Sequence, residues 1–158
     1  MGKFYYDLHL HSCLSPCADN DMTPATIAGM AALNGLSIAA LTDHNSAGNL
    51  PAFFEACRAY GVVPVAGMEL ETAEAVHLVC LFPTLEAAEK FDDDYRSFRI
   101  LYKNRKDIFG DQLILDEEDN VIGEEEHLLL NASTLSIEDA ERLAKKYGAA
   151  VFPAHIDR

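Results

Sequence analysis

Short apolar runs that end on a histidine or a carboxylate recur along this chain, and they constrain its fold more than any other feature. Residues 37–41 run into Thr42-Asp43-His44, residues 62–66 into Gly67-Met68-Glu69, and residues 149–154 into His155. Residues 4–10 form another such run, which carries His9 and delivers His11. Side chains alternate along a strand, so His9 and His11 share one face while Leu8 and Leu10 turn to apolar packing. Helix signals separate the runs. Thr23 is a helix N-cap followed by Pro24 at the first helical position, and Gly35 stops that helix after about Asn34. A second helix spans residues 50–60 and closes at Gly61, and a fourth strand spans residues 76–82 with His77 near its beginning. Strands alternating with helices predict a parallel α/β arrangement, in which sites gather at C-terminal strand ends.

The second half of the chain is more polar. Residues 85–109 read as one long helix, with Asp92-Asp93-Asp94 as a solvated face. Residues 112–115 and 120–124 fit a small hairpin inserted into the repeat. Residues 136–147 form a helix capped by Ser136, with Asp139 in its first turn and Lys145 and Lys146 in its last.

Composition narrows the class. With 158 residues and 49% hydrophobic content the chain can build one core, and a single domain over residues 1–158 is expected. Twelve Lys and Arg against 26 Asp and Glu give a formal net charge of −14. That balance disfavours extended nucleic acid as a partner, because basic side chains normally neutralise the phosphates. It leaves room for a single phosphoryl group held at a cluster of cations. No apolar stretch is long enough to span a bilayer, and no signal-peptide pattern opens the chain. The four cysteines lack disulfide-framework spacing, which points to reduced thiols and a cytoplasmic location. Cys13 and Cys17 fall near the histidines, and a thiolate binds zinc. Their spacing matches no standard site, so they are expected to serve as small packing residues.

The candidate metal ligands are His9, His11, Asp19, His44, Glu69, His77 and His155. Imidazoles mixed with carboxylates suit Zn, Mn or Fe. Glu69 is preferred to Glu71, and a carboxylate of this kind can bridge two metals. Asp7 and Asp43 are expected to orient imidazoles rather than bind metal.

Taken in order, Asp7-Leu-His9-Leu-His11-Ser12 with Leu14-Ser15, Leu41-Thr-Asp-His44, Gly67-Met-Glu69, Val76-His77-Leu78 and Pro153-Ala-His155 resemble the successive motifs of the PHP (polymerase and histidinol phosphatase) domain family. The resemblance implies a (β/α)7-type barrel with a metal cluster at its C-terminal face, acting on phosphoesters. It implies that His9 and His11 share one metal with Glu69, that His77 and His155 hold a second bridged by Glu69, and that His44 with an acidic first-loop residue holds a third. Here that loop reads Ser15-Pro-Cys-Ala-Asp19-Asn-Asp21, so the acidic ligand is Asp19 or Asp21, with Asp19 favoured by its distance from Thr23-Pro24. The family's last motif, Asp-x-His, has no counterpart after His155. The chain is therefore expected to be the N-terminal part of a barrel, or to carry fewer than the full two to three divalent metals. Its open strand edges would then favour self-association. Arg158 is the candidate to grip a phosphate near the mouth of the site. The function implied is hydrolysis of a small phosphorylated substrate, such as a nucleotide or sugar phosphate, by metal-activated hydroxide. A non-catalytic metal-stabilised domain and a metal-dependent amidohydrolase are the alternatives.

Overall fold

The structure is a computed structural model that describes residues 3–156. Arg158 lies outside the described residues. The element order is β1 (Tyr6–Leu10), α1 (Pro24–Leu33), β2 (Ile38–Leu41), α2 (Leu50–Tyr60), β3 (Val63–Glu71), β4 (His77–Phe82), α3 (Leu85–Tyr95), a 3-10 turn (Arg96–Phe98), α4 (Lys106–Phe109), β5 (Leu113–Leu115), β6 (Val121–Glu124), α5 (Ile137–Lys146) and β7 (Ala150–Pro153). The main sheet has five strands in the order β1-β2-β3-β4-β7. This mixed α/β sheet corresponds to an incomplete barrel of the expected kind. Its outer strands, β1 and β7, each keep one side open to further pairing, and Tyr6 on β1 and Phe152 on β7 are exposed.

The local signals act as their chemistry requires. Thr23 accepts the Thr26 amide at the start of α1, with Pro24 at the first helical position. Ser136 accepts the Asp139 amide at the start of α5. Gly61 closes α2 in the left-handed conformation, at φ 72°, where a Cβ would be strained.

β1, β2 and β3 are parallel, as two intervening helices allow. β4 is not: it runs antiparallel to β3, and β7 runs antiparallel to β4. The expectation of an all-parallel sheet fails here because residues 72–76 are too short for a crossover, and only a tight turn can join β3 to β4. The antiparallel partner also prolongs β3 to Glu71, so Glu69 lies within the strand rather than beyond it, paired with Val79.

Alternation divides this sheet into two chemistries. Met68 and Leu70 on β3 and Leu78, Cys80 and Phe82 on β4 join Leu41, Phe53, Phe91 and Tyr95 in the core under the helices. Gly67, Glu69 and Glu71 take the other face of β3, and His77 enters on the same face through its pairing with Glu71.

The long helix expected over residues 85–109 breaks at Tyr95. Beyond the break, Phe98 O accepts the Thr134 amide and Arg99 pairs with Glu125 at 3.1 Å. These partners lie on a later segment, and a continuous helix could not reach them. Asp92 is also buried rather than solvated, with Arg96 Nη2 at 2.8 Å, whereas Asp93 and Asp94 are exposed. The small hairpin forms as β5 and β6, antiparallel and separate from the main sheet.

Gly67 holds β2 and β3 together at close range. A Cβ there would stand 2.6 Å from Thr42 Cγ2 and 2.9 Å from the Leu41 carbonyl oxygen. The carbonyl belongs to the adjoining strand and cannot give way without parting the pair. Gly67→Ala is expected to destabilise the fold by about 1–3 kcal/mol. A denaturation midpoint equal to that of the unsubstituted protein would refute this.

Candidate metal centre

Five imidazoles converge on one buried carboxylate. Glu69 Oε2 stands 3.0 Å from His9 Nε2, 3.0 Å from His11 Nε2 and 3.5 Å from His44 Nδ1. Glu69 Oε1 stands 3.0 Å from His77 Nδ1 and 3.3 Å from His155 Nε2. The two oxygens thus divide the imidazoles into a set of three and a set of two. The Glu69 side chain is only 1% exposed, while that of His155 is 47% exposed, so the cluster opens on the β7 side.

Each side chain arrives from a different element for a local reason. His9 lies on β1, and its backbone continues to His11 just past the strand. His44 lies past the end of β2, where the parallel pairing with β3 continues: Glu69 N donates to Asp43 O, and Asn45 N donates to Glu69 O. His155 follows β7 in the left-handed region at φ 53°, after the Ala154 amide has bonded to His77 O.

Two polar atoms at the centre of the cluster are buried without an aligned hydrogen-bond partner: His44 Nδ1 and Glu69 Oε2. Such atoms are costly unless something fills the gap between them. A borderline cation with a preference for imidazole and carboxylate fits this donor set. Among the described residues, two of the donor sets that could hold a metal contain this carboxylate: His9, His11 and Glu69, and His44, Glu69 and His77.

The electrostatics agree with that chemistry. Burial pushes the Glu69 carboxyl up, but the adjacent His11 and His9 imidazoles outweigh it and hold the group well below the usual carboxylate range. Burial, and then the neighbouring His11, His77 and His9, lower His44 to about 3. It is therefore neutral at physiological pH, the form in which an imidazole binds metal.

Asp43 works through a serine. Its carboxylate accepts the Ser12 amide at 2.7 Å, the Ser12 hydroxyl at 2.6 Å and the Ser15 hydroxyl at 2.7 Å. With its proton committed to Asp43, Ser15 Oγ accepts the His44 amide at 3.0 Å and faces His11 Nδ1 at 3.2 Å. His11 Nδ1 is then the donor to Ser15 Oγ, and Nε2 is the atom left facing Glu69, where it would serve a bound cation. Asp7 is placed differently: its Oδ1 accepts the His9 backbone amide and touches no imidazole of the cluster.

The structure does not bring Asp19 or Asp21 to the histidines. Both line an open hollow with Asn20, Phe109 and Asp111, and neither joins a set of donors among the described residues. Cys17 is the first-loop residue that does join one. Glu71 stays at the margin, with Oε2 3.8 Å from His77 Nε2.

Asn45, given no role from the sequence, fastens the strand end that carries His44. It adopts φ 51° and is 2% exposed. Its amide donates to Leu129 O and Asn131 O, and its Oδ1 accepts from Tyr95 Oη and the Glu71 amide. Its position after Asp43-His44 is a faint signal, since Asn tolerates the left-handed region better than most residues.

The sequence model of the PHP domain matches residues 7–151. The chain belongs to the PHP domain family. A comparison with curated protein sequences finds no match. Among solved structures, a candidate metal-dependent phosphoesterase from Bifidobacterium adolescentis superposes with a TM-score of 0.65 at 17% identity, covering 98% of this chain and 68% of its own. The lesion-specific endonuclease Q of Pyrococcus furiosus superposes with a TM-score of 0.65 at 22% identity, covering 95% of this chain and 34% of its own. Endonuclease Q bound to a 27-mer duplex with an abasic lesion at its active site gives a TM-score of 0.63 at 22% identity. At these identities the likeness is one of fold, and this chain spans about a third of the length of the endonuclease chains.

The endonuclease complex corrects one expectation. Net charge argued that extended nucleic acid is disfavoured as a partner, yet a protein with this fold holds duplex DNA. The physical reason is that overall charge does not decide what a metal-lined cleft accepts, because bound cations set the local field. For the membrane, among the described residues no helix is long and apolar enough to cross one.

Proposed function

We propose that this protein is a metal-dependent phosphoesterase whose site is the cluster around Glu69. The observation that carries the reading is the division of five imidazoles between the two oxygens of one buried carboxylate. His9 and His11 with Oε2 make one position, and His77 and His155 with Oε1 make a second. His44 belongs to a third, so two to three divalent cations, Zn, Mn or Fe, is the full complement. Bound there, such cations would acidify a water and polarise the oxygens of a phosphoryl group.

The chain's own residues do the rest. Glu69 brings one negative charge between two cation positions, which reduces their mutual repulsion. Ser15 and Asp43 hold His11 in the tautomer that keeps Nε2 free, and Asn45 keeps His44 at the rim of the sheet. The finer reading is a small phosphorylated substrate in the cytoplasm, supported by the acidic composition and the thiol-bearing, disulfide-free chemistry of the sequence. The neighbour that binds duplex DNA makes an oligonucleotide the second substrate to try.

The test is a hydrolysis panel on protein loaded with Zn, Mn or Fe: sugar and nucleotide phosphomonoesters, a phosphodiester, an abasic duplex and an amide. Release of phosphate or cleavage of a phosphodiester is expected, abolished by chelation and restored by metal. Metal-loaded protein that leaves every phosphoester intact, or cleaves only the amide, would overturn the reading.

A further inference from the structure

The loop between β1 and α1 carries a donor that the proposed cluster leaves unused. Cys17 is exposed, and one donor atom each from His11, Cys17 and His44 lie within 4.8 Å of one another. The loop is not free to swing: Ser15 N bonds to Ser12 O, Ala18 N to Ser15 O, and Cys13 N to Met22 O, at 2.8–2.9 Å. A second observation is independent of the thiol. His44 is only 5% exposed, its Nδ1 has no hydrogen-bond partner, and its ring stacks on that of His11 with centroids 4.6 Å apart. An imidazole in that state has been desolvated without compensation, which a metal at this position would supply.

We propose that Cys17 is a metal ligand, joining His44 at the third cation position as a sulfur donor where an acidic residue of the loop was expected, while His11 Nε2 stays with the position it shares with His9 and Glu69. The inference rests on the metal-dependent reading of the cluster and adds a selectivity to it. A thiolate is a soft donor, so this position favours zinc, or cobalt as its spectroscopic substitute, over manganese or magnesium. On binding, the thiol gives its proton to solvent and a sulfur–metal bond forms.

The remaining cysteines make the test clean. Cys13, Cys57 and Cys80 are buried. Burial, with Asp43 adding to it, raises the Cys13 thiol to about 11, and burial raises Cys57 and Cys80 to about 12. Iodoacetamide should therefore label Cys17 in the folded, metal-free chain and little else.

Two readouts decide the matter, neither of them activity. The full chain loaded with cobalt should show a thiolate-to-cobalt charge-transfer band in the near ultraviolet, lost in Cys17→Ser and kept in Cys80→Ala. Zinc should protect Cys17 from iodoacetamide, mapped by mass spectrometry, and Cys17→Ser should weaken one zinc site by on the order of tenfold to a hundredfold or more. A band that survives in Cys17→Ser, no band in cobalt-loaded protein, or equal labelling with and without bound zinc would overturn the assignment. Band and protection without any phosphoester hydrolysis would support Cys17 while refuting the proposed function. Hydrolysis without band or protection would refute Cys17 alone.

Discussion

Glu69→Gln is expected to strip the cluster of metal at more than one position at once and to abolish phosphoester hydrolysis with it. Glutamine keeps the shape of the side chain but is neutral and replaces one oxygen with an amide nitrogen that cannot bind a cation. Because Oε2 serves His9, His11 and His44 while Oε1 serves His77 and His155, either orientation of the amide leaves one imidazole set without its shared oxygen. Losing a group that only orients a ligand costs about ten- to a hundredfold in affinity or activity, and losing a shared ligand should cost more. The control is Glu71→Gln: that carboxylate lies on the same face of β3 but only at 3.8 Å from His77 Nε2, and the change should be mild. Elemental analysis and hydrolysis rates on both variants check the expectation. If Glu71→Gln removes the metals while Glu69→Gln retains them, the shared carboxylate has been misassigned.

What could be read from the sequence was whatever depends on neighbours close along the chain. His9 and His11 share a face because the period of a strand is two, and Thr23-Pro24, Gly61 and Ser136 mark helix ends by their own backbone chemistry. Glu69 stands out by its position after an apolar run, although the strand continues beyond it to Glu71. That continuation depends on β4, a partner whose direction the apolar pattern does not encode. The break at Tyr95 is hidden for a similar reason, since Arg99 pairs with Glu125 and Phe98 with Thr134, both more distant in sequence than any helical repeat.

The site shows the same boundary. The imidazoles were legible because histidines at strand ends are chemically conspicuous. The course of the first loop was not, because a loop's register relative to a strand is set by turns rather than by periodicity. Counting back from Thr23 favours Asp19, whereas the turns at Ser15–Ala18 and Asp19–Met22 place Cys17 within reach of His11 and His44. In the sequence alone Ser15 belongs to a motif but has no visible task. Its task comes from Asp43, which reaches it from the neighbouring strand end.

Asp43→Ala is the substitution expected to show how firmly the fold and the cluster are coupled. The carboxylate is 2% exposed and burial raises its pKa, against the pull of the Ser12 and Ser15 donors. Removing it leaves the Ser12 amide, the Ser12 hydroxyl and the Ser15 hydroxyl without their acceptor. Each buried donor left unsatisfied costs about 1–3 kcal/mol, and some of this is recovered as the hydroxyls rotate, so a net loss of about 3 kcal/mol or more is expected. Ser15 would also be free to turn its proton towards His11 Nδ1, which allows the other tautomer and leaves a proton on the Nε2 that a bound cation would need. Metal affinity should then fall by about ten- to a hundredfold even in the molecules that stay folded. Asp43→Asn keeps an oxygen for the Ser12 amide and Ser15 hydroxyl and should lie between the two. Asp93→Ala, on the exposed side of α3, should stay within about 0.5 kcal/mol of the parent. Denaturant unfolding and zinc titration of the three variants provide the measurement. If Asp43→Ala matches Asp93→Ala in both, the serine relay carries neither stability nor ligand orientation.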